Sequence, residues 1–337
     1  MSIFLLTLGA NQLSDSQLDQ IRDRLPAHMT LVQENRKEEV AQYFPEVEAI
    51  AGWFKPAYLL ELPKLKWAHF WGVGTDWLQR YPQMAEETFT LTNVAGHSTT
   101  QINEHIFGML LSLGRNLRNA HVAQQAGVWA RTHQPAEAEK FKDTPFAHSA
   151  GDLFELTDKM MLILGLGGIG QRTAMLAKAF GMNTIGVRRN PDRLVNHVDQ
   201  MAGMDQLPDV LPQADVIVVT LPYTQETHHL FDAEAFSAMK SSAIFINIGR
   251  GKIVDEGAMI SALQNKSIRA AALDVFEEEP LPADSPLWQL DNALITSHYA
   301  GSSPRYHERA LAIFLDNLDR WRDGKPLNNL VDKAAGY

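Results

Sequence analysis

Three short segments carry side chains suited to acid–base and anion chemistry, and each follows an apolar run that is typical of a strand. Arg250 stands between two glycines, an acidic run at residues 277–279 ends at a proline, and His298 precedes small residues. Ligands of open α/β sheets bind beyond the carboxyl ends of the strands, so the three segments are predicted to share one site. A guanidinium that binds a carboxylate and an imidazole that protonates a carbonyl oxygen would suit hydride transfer to a 2-oxo acid.

A carboxylate beside the imidazole would orient the ring and keep it protonated. Glu277, Glu278 and Glu279 compete for this role. Glu279 is preferred because the proline that follows fixes the backbone immediately after it. Each signal is weak alone, since an arginine after a strand is usually a surface cation and an acidic run is usually solvated. The combination predicts Arg250, Glu279 and His298 as the catalytic set.

A glycine-rich loop at residues 165–170 follows the apolar run Met160–Leu164 directly and opens a predicted helix. This strand–turn–helix context is what a dinucleotide-binding loop requires, although a purely structural glycine turn is the alternative. The first glycine permits the tight turn, the second lets the pyrophosphate approach the backbone, and the last allows the helix to pack on the strand. The residues predicted to contact the cofactor here are Gly165, Gly167, Gly168, Ile169 and Gly170.

The second strand of this predicted unit, Thr184–Val187, runs into Arg188 and Arg189. An NAD-binding fold usually places Asp or Glu there to bind the ribose hydroxyls. Two guanidinium groups instead match the 2′-phosphate of NADP, which arginine can bind with two hydrogen bonds. The alternative is a pair of solvated surface arginines. The predicted cofactor is therefore NADPH/NADP, with NAD accepted at lower preference.

Apolar runs alternate with helix-like segments over residues 1–92 and again from Lys159, which predicts an α/β fold of two doubly wound parallel-sheet units. The wide apolar stripe of a helix predicted at Gln101–Asn119 either packs inside its unit or forms a subunit interface. Residues 132–151 lack periodicity and predict a long loop. The remaining predicted strands are Ile3–Leu8, Met29–Gln33, Val47–Gly52, Lys66–Trp71, Thr88–Leu91, Asp215–Thr220, Ala243–Ile248, Ala270–Leu273 and Ala293–Thr296, and the remaining helices are Gly168–Phe180, Asp255–Asn265 and Pro304–Arg322.

Composition excludes several classes of function. The formal net charge of −10 argues against nucleic-acid and acidic-membrane partners, and the absence of cysteine excludes disulfides, thiolate nucleophiles and Cys-ligated metals. His228-His229 has no further ligand at metal-binding spacing, so no metal is predicted. His97 and His105 are interpreted as capping or surface groups. The N-terminus lacks a basic leader and no stretch is long enough to span a membrane, so a cytoplasmic location is expected.

Taken in chain order, the motifs resemble the D-isomer-specific 2-hydroxyacid dehydrogenase family over nearly the whole sequence. The arginine pair is similar to the glyoxylate/hydroxypyruvate reductase branch. The segments that carry the resemblance are Gly72–Asp76, Asn93–Gly96, Glu104-His105, Gly165–Gly170, Leu221-Pro222 with Glu226-Thr227, Asn247–Gly251, Asp274–Pro280 and His298–Gly301.

The resemblance implies a Rossmann NAD(P)-binding domain, residues 98–298, inserted into a flavodoxin-like substrate domain made of residues 1–97 and 299–337. It implies that Asp274 holds the nicotinamide carboxamide and that members form dimers through the cofactor domain, which favours the subunit-interface interpretation of the long helix. Further cofactor contacts implied are Leu221, Pro222, Thr227, Ile248 and Gly249, and the implied substrate contacts are Trp53, Gly72, Val73 and Gly74 beside Arg250 and His298.

The aromatic residues Trp53, Phe54 and Trp71 either narrow the substrate site or simply pack in the core. The leading functional prediction is an NADPH-dependent reductase that converts glyoxylate or hydroxypyruvate to the D-2-hydroxy acid. A reductase for bulkier branched or aromatic 2-oxo acids is the alternative among enzymes. A nucleotide-sensing binding protein like the corepressors built on this fold is the alternative from another class.

Overall fold

The computed structural model describes residues 2–9, 11–127, 129 and 153–337. The predicted 132–151 loop lies outside the described residues. The chain forms two compact units, one made of Met1–Ser98 with Ser302–Tyr337 and the other of Thr99–Gly301. The chain crosses between units one residue later than predicted at the first boundary and three residues later at the second.

Most of the predicted strands and helices form, with ends that coincide with the prediction or shift by at most two residues. The strands are β1 (Ser2–Thr7), β2 (Met29–Gln33), β3 (Val47–Gly52), β4 (Trp67–Phe70), β5 (Thr90–Asn93), β6 (Met160–Leu164), β7 (Asn183–Val187), β8 (Gln200–Ala202), β9 (Val216–Val219), β10 (Ile244–Asn247), β11 (Ala270–Leu273) and β12 (Ala293–Ile295). The α-helices are α1 (Asp15–Arg22), α2 (Lys37–Val40), α3 (Thr99–Gly114), α4 (Leu117–Gln125), α5 (Gly168–Ala179), α6 (Leu207–Val210), α7 (Ala233–Ala238), α8 (Glu256–Gln264) and α9 (Tyr306–Arg322).

The first unit is built on a parallel five-stranded sheet in the order β2-β1-β3-β4-β5. This is the flavodoxin-like strand order. The central strand β1 buries Phe4, Leu5 and Leu6 completely, because helices and loops cover both faces of the sheet. The C-terminal helix α9 packs on one face, where Phe314 stacks on Trp67 with ring centroids 5.9 Å apart.

The second unit contains a parallel seven-stranded sheet in the order β12-β11-β10-β9-β6-β7-β8. From the centre of the sheet, β6, β7 and β8 follow one another toward one edge, and β9 to β12 follow one another toward the other edge. The topological switch point therefore lies between β6 and β9. This is the Rossmann order with one added strand. Every residue of β9 is buried, as its unbroken apolar sequence predicts. The predicted α/β class with two doubly wound parallel sheets is confirmed.

The prediction of a single helix over residues 101–119 is wrong, because two helices form there. The chain leaves α3 at Gly114, and Asn116 adopts a left-handed φ of 54° before α4 begins. Gly114 is in close contact with the next described segment: its carbonyl accepts from the Phe154 N–H at 2.8 Å, and an added Cβ would lie 3.3 Å from the Phe154 carbonyl. Apolar periodicity continues across this break, which is why the sequence pattern does not reveal it. Within the part of the chain that the structure describes, no helix is both long and apolar enough to cross a bilayer.

Candidate active site

The glycine-rich loop lies at the switch point and has the geometry expected of a dinucleotide cradle. Gly165 adopts a φ of +92°, and its N–H donates to the Val187 carbonyl at 2.9 Å. A Cβ on Gly170 would lie 1.9 Å from the Gly165 carbonyl oxygen, so only glycine allows α5 to start this close to β6. An added Cβ at Gly167 would meet nothing within 4 Å, because this residue faces open space.

Helix α5 begins without a capping side chain. Gly167 is the N-cap residue, and it has no side chain that could accept from the first-turn N–H groups. The first N–H groups of any helix lack carbonyl partners, and together with the helix dipole they form an anion site. Gly168 and Ile169 begin this first turn, with the Ile169 carbonyl held by the Asn103 amide at 3.2 Å. The residues present therefore fit the pyrophosphate of a dinucleotide.

The arginine pair follows β7, the strand next to the glycine-loop strand β6. Arg188 is half-buried and its backbone N–H donates to the Ala202 carbonyl at 3.2 Å. The Arg189 side chain is 65% exposed, and its Nη2 lies 3.2 Å from Oε2 of Glu226, a carboxylate that is itself 77% exposed. At the end of β7 the structure thus presents two guanidinium groups where NAD-binding folds place a carboxylate.

The loop after β9 and the end of β10 contain five further predicted cofactor contacts. Leu221 and Gly249 touch: an added Cβ on Gly249 would lie 2.8 Å from the Leu221 carbonyl. The Thr227 hydroxyl donates to the Pro222 carbonyl at 2.9 Å, so it is used within its own loop. Ile248 is buried and its N–H extends the sheet toward the Val219 carbonyl at 3.3 Å. The described contacts of Thr227 thus point to a loop-closing role.

The segments that carry the three predicted catalytic residues converge at the carboxyl edge of the sheet, beyond the adjacent strands β10, β11 and β12. Backbone hydrogen bonds continue past the strand ends: Asp274 donates to the Asn247 carbonyl at 3.0 Å, and His298 donates to the Asp274 carbonyl at 2.8 Å. A Cβ on Gly251 would lie 1.9 Å from the Phe276 carbonyl carbon, so the Arg250 loop packs directly on the acidic segment.

His298 and Glu279 form a direct pair. The ring Nδ1 lies 2.6 Å from Glu279 Oε2, and the other carboxylate oxygen accepts from the Phe276 N–H at 3.0 Å. A carboxylate only accepts, so Nδ1 carries the proton and the opposite ring nitrogen, Nε2, is the one that can act on a ligand. The His298 side chain is 49% exposed and therefore accessible to one.

Of the other two glutamates of the acidic run, Glu278 is exposed and Glu277 has a different partner. Glu277 pairs with His229 Nε2 in a very short contact, and its N–H donates to Glu256 Oε2 at 3.3 Å. Burial raises the pKa of the Glu256 carboxyl. Among the three candidates, Glu279 is the glutamate that the structure places against His298. In the described part of the chain, no group of three His, Asp or Glu side chains is arranged to hold a metal ion.

The Arg250 side chain leaves the loop between β10 and α8. Its Nη1 donates to the Gly249 carbonyl at 2.8 Å, and its own carbonyl accepts from the Asn247 amide at 3.0 Å. Asn247 Oδ1 in turn accepts from the Gly249 N–H at 3.0 Å. The buried Asn247 therefore ties the turn that presents the guanidinium.

Two histidines interpreted as capping or surface groups are buried or partly buried, and each has a specific hydrogen-bond partner. His97 is 5% exposed, its Nδ1 lies 2.8 Å from the Val94 carbonyl, and burial lowers its pKa. His105 lies on α3 with its Nε2 2.9 Å from the Thr296 hydroxyl, two residues before His298. The signal that could have found His105 is its place on a largely apolar helix, where a polar side chain needs a specific partner.

The predicted substrate contacts of the first unit lie at the ends of β3 and β4. Trp53 is 44% exposed, and its ring packs edge-on against Phe70 with centroids 5.4 Å apart. A Cβ on Gly72 would lie 2.7 Å from the Phe70 ring and 3.0 Å from the Trp53 ring, so glycine lets these aromatic rings close over the loop. The Val73 carbonyl accepts from the Asn93 amide at 2.9 Å, and Gly74 follows.

The three aromatic residues Trp53, Phe54 and Trp71, predicted either to narrow the substrate site or to pack in the core, differ in burial. Trp71 is fully buried and Phe54 is 5% exposed, so both are core residues. Trp53 alone of the three presents a large exposed surface.

Comparisons with known proteins agree with this geometry. Residues 107–300 match the family described as D-isomer specific 2-hydroxyacid dehydrogenase, NAD binding domain. Glyoxylate/hydroxypyruvate reductase B of Citrobacter koseri is 33% identical over 333 residues, which cover 94% of this chain and 96% of that protein.

Two solved structures resemble the whole chain. A D-isomer specific 2-hydroxyacid dehydrogenase family protein from Aeromonas salmonicida is 33% identical, with a TM-score of 0.80 and coverage of 98% of this chain and 99% of its own. A D-isomer specific 2-hydroxyacid dehydrogenase from Xanthobacter autotrophicus, in complex with NADPH and MES, is 26% identical, with a TM-score of 0.77 and coverage of 100% and 99%. The chain therefore belongs to the D-isomer-specific 2-hydroxyacid dehydrogenase family of NAD(P)-dependent oxidoreductases.

Proposed function

We propose that the chain is an NADPH-preferring reductase that converts a small 2-oxo acid, such as glyoxylate or hydroxypyruvate, to the D-2-hydroxy acid. The observation that carries this proposal is the 2.6 Å bond between His298 and Glu279 at the carboxyl edge of the seven-stranded sheet. Reduction of a carbonyl needs a hydride and a proton delivered together, and a bound nicotinamide cofactor supplies the hydride.

In this proposal His298 is the general acid. Its protonated ring donates from Nε2 to the carbonyl oxygen of the substrate, while Nδ1–H remains on Glu279. The carboxylate holds the ring in the orientation from which Nε2 can donate. Because Glu279 also accepts from the Phe276 N–H, the carboxylate is itself fixed, which supports a defined direction for the donated proton.

Arg250 is proposed to hold the substrate carboxylate and polarise the carbonyl. The formal charge of the chain is −10, so a small anion needs a specific cation to bind, and Arg250 stands on the turn next to the acidic segment. The loop of Gly72, Val73 and Gly74, with Trp53, is proposed as a further substrate contact on the family resemblance.

NADPH is the proposed cofactor because Arg188 and Arg189 follow β7 where a carboxylate would otherwise repel a 2′-phosphate. The pyrophosphate would bind at the start of α5, and the nicotinamide carboxamide at Asp274. The NADPH complex of the Xanthobacter autotrophicus relative supports the cofactor, and the Citrobacter koseri reductase supports the substrate class. Leu221, Pro222, Thr227, Ile248 and Gly249 remain predicted cofactor contacts.

A substrate panel tests the proposal. The purified chain is mixed with glyoxylate, hydroxypyruvate or phenylpyruvate and with NADPH or NADH, and the loss of reduced nicotinamide absorbance is followed. We expect the fastest NADPH oxidation with glyoxylate or hydroxypyruvate, and a D-configured product from hydroxypyruvate on chiral chromatography.

Faster turnover of phenylpyruvate would replace the small substrate with a bulky one. No oxidation with any 2-oxo acid, while NADPH still binds in calorimetry, would favour a nucleotide-sensing protein instead. A homodimer joined through the cofactor domain and a cytoplasmic location remain predictions, and sedimentation of the purified chain tests the first.

A further inference from the structure

Asp274 is a buried carboxylate at the end of β11, and its side chain is almost fully enclosed. Its Oδ1 accepts from the Thr296 hydroxyl at 2.6 Å and from the Tyr299 N–H at 3.0 Å, and its Oδ2 accepts from the Ala300 N–H at 3.0 Å. A buried charge is stable only when donors satisfy it. All three of these donors come from the loop that follows β12, so the carboxylate organises that loop.

The same loop carries His298 in an unusual backbone conformation. His298 has a φ of +52°, which is uncommon for a residue with a side chain and persists only when neighbouring contacts enforce it. Its N–H donates to the Asp274 carbonyl at 2.8 Å. Asp274 therefore accepts four hydrogen bonds from this loop, and together these bonds fix the position of the His298 ring that contacts Glu279.

His105 lies beneath this arrangement, on α3. Its side chain is 16% exposed, and its Nε2 lies 2.9 Å from the Thr296 hydroxyl and 3.8 Å from Asp274 Oδ1. Its ring also meets the Tyr299 ring edge-on, with centroids 5.4 Å apart. His105 thus links the helix to the loop through one hydrogen bond and one ring contact, and Gln101 of the same helix donates to the Gly301 carbonyl at 2.9 Å.

The direction of the hydrogen bonds follows from the number of protons. The Thr296 hydroxyl has one proton, and the carboxylate of Asp274 can only accept, so the hydroxyl donates to Asp274. The hydroxyl oxygen then accepts from His105, which must carry its proton on Nε2. Burial lowers the pKa of His105 while Asp274 acts in the opposite direction, which is consistent with a neutral ring held in this tautomer.

We propose that His105 and Thr296 are positioning residues for His298: they form a donor chain to Asp274 that holds the His298 loop in its left-handed conformation. The inference rests on the proposed function, because His298 is the residue being positioned. Neither side chain is assigned a contact with substrate or cofactor. Their effect on catalysis passes through the Asp274 carboxylate.

Paired substitutions test this chain of contacts. His105→Leu and Thr296→Val remove the donors, whereas His105→Gln and Thr296→Ser restore a donor at nearly the same place. His121→Leu on α4 is the matched control, because the described contact of His121 is with Gln125 on an exposed helix surface.

We expect the two donor-removing variants to lower kcat about 10- to 100-fold, the range expected from a displacement of about 1 Å in a catalytic group. The KM for NADPH should rise less than kcat falls, since Asp274 keeps its three backbone bonds to the His298 loop, and the donor-restoring variants should recover most of kcat. A merely structural role would instead lower the unfolding temperature without this split between kcat and KM. Unchanged kcat in both donor-removing variants would overturn the proposal.

A measurement independent of turnover separates this inference from the proposed function. The ring resonances of His298 are assigned in nitrogen-15 histidine spectra by their loss in His298→Asn. They should move in His105→Leu and Thr296→Val and return in His105→Gln and Thr296→Ser. If the wild-type chain reduces no 2-oxo acid but these resonances move, the positioning role stands and the reductase proposal fails. If they stay in place, the positioning role fails.

Discussion

Two regions at the carboxyl edge of the seven-stranded sheet differ sharply in how they hold their charged groups. The catalytic edge, residues 247–251, 274–280 and 296–300, is tied together by backbone hydrogen bonds from one loop to the next. The arginine loop, residues 188–193, presents Arg189 with 65% of its side chain exposed and an ion pair to the exposed Glu226. Both follow strands of one sheet, on opposite sides of its switch point.

The difference reflects what each region is proposed to do. Proton transfer loses most of its rate when donor and acceptor are misplaced by about 1 Å, so the His298 ring needs a fixed backbone and a fixed partner. Recognition of a 2′-phosphate depends first on charge, which acts over several ångströms and tolerates mobile side chains. Substitutions should therefore cost much more at the catalytic edge than in the arginine loop.

The largest loss is expected from His298→Asn, which removes the proton donor but keeps a side chain of similar polarity. We expect kcat to fall about 10²- to 10⁴-fold, the usual contribution of a general acid, with NADPH binding nearly unchanged. Steady-state kinetics and calorimetric titration with NADPH measure the two effects. His121→Asn serves as the control. If turnover stayed near that of the wild type, His298 would have no place in the mechanism.

A smaller loss is expected from Arg250→Gln, which keeps hydrogen-bonding capacity but removes the charge. Loss of a hydrogen bond to a charged group costs about 1.5–3 kcal/mol, so kcat/KM for the 2-oxo acid should fall about 10- to 100-fold. The KM for NADPH should move little. An equal rise in both KM values would assign Arg250 to the cofactor instead, and would weaken the division between the two regions.

A still smaller change is expected from the double variant Arg188→Gln/Arg189→Gln, because the groups it removes are partly or largely exposed. The KM for NADPH should rise about tenfold and the KM for NADH should stay within about twofold. Arg322→Gln on α9 is the control for loss of a surface charge. Equal changes in the KM for NADPH and the KM for NADH would show that Arg188 and Arg189 do not bind the 2′-phosphate.

The catalytic edge was largely accessible from the sequence because its signals are local. A strand followed by glycine, arginine or histidine defines both the end of the strand and the chemistry beyond it. Arg250 follows β10 and His298 follows β12, with β11 between them, so each lies beyond a strand end as predicted. The choice of Glu279 among three neighbouring glutamates rested on the following proline, and the structure places this carboxylate against His298.

Other features were not accessible because they depend on contacts distant in the chain. His105 meets Thr296 across 191 positions, and no local pattern specifies that pair. The break after Gly114 depends on the segment at Phe154, while the apolar spacing runs on without interruption. Trp53 and Trp71 each come directly after a strand, yet Trp71 is fully buried and Trp53 is 44% exposed, since burial depends on which elements pack above each ring.

The smallest effect is expected from Glu226→Gln, which removes the carboxylate that pairs with Arg189. Glu226 Oε2 lies 3.2 Å from Arg189 Nη2, so a bound 2′-phosphate would compete with this carboxylate for the guanidinium. Exposed pairs contribute about 0–1 kcal/mol, so Glu226→Gln should leave the free energy of unfolding nearly unchanged. The KM for NADPH should fall about twofold and that for NADH should not change, with Glu155→Gln as the control.

Salt separates this electrostatic explanation from a steric one. Because exposed charges are screened at high ionic strength, the advantage of Glu226→Gln over the wild type should shrink as salt is added. The same addition should raise the KM for NADPH in both proteins while kcat, set at the ordered catalytic edge, changes less. An advantage that persisted at high salt would mean that Glu226 acts through the shape of its loop, and charge alone would no longer describe the arginine loop.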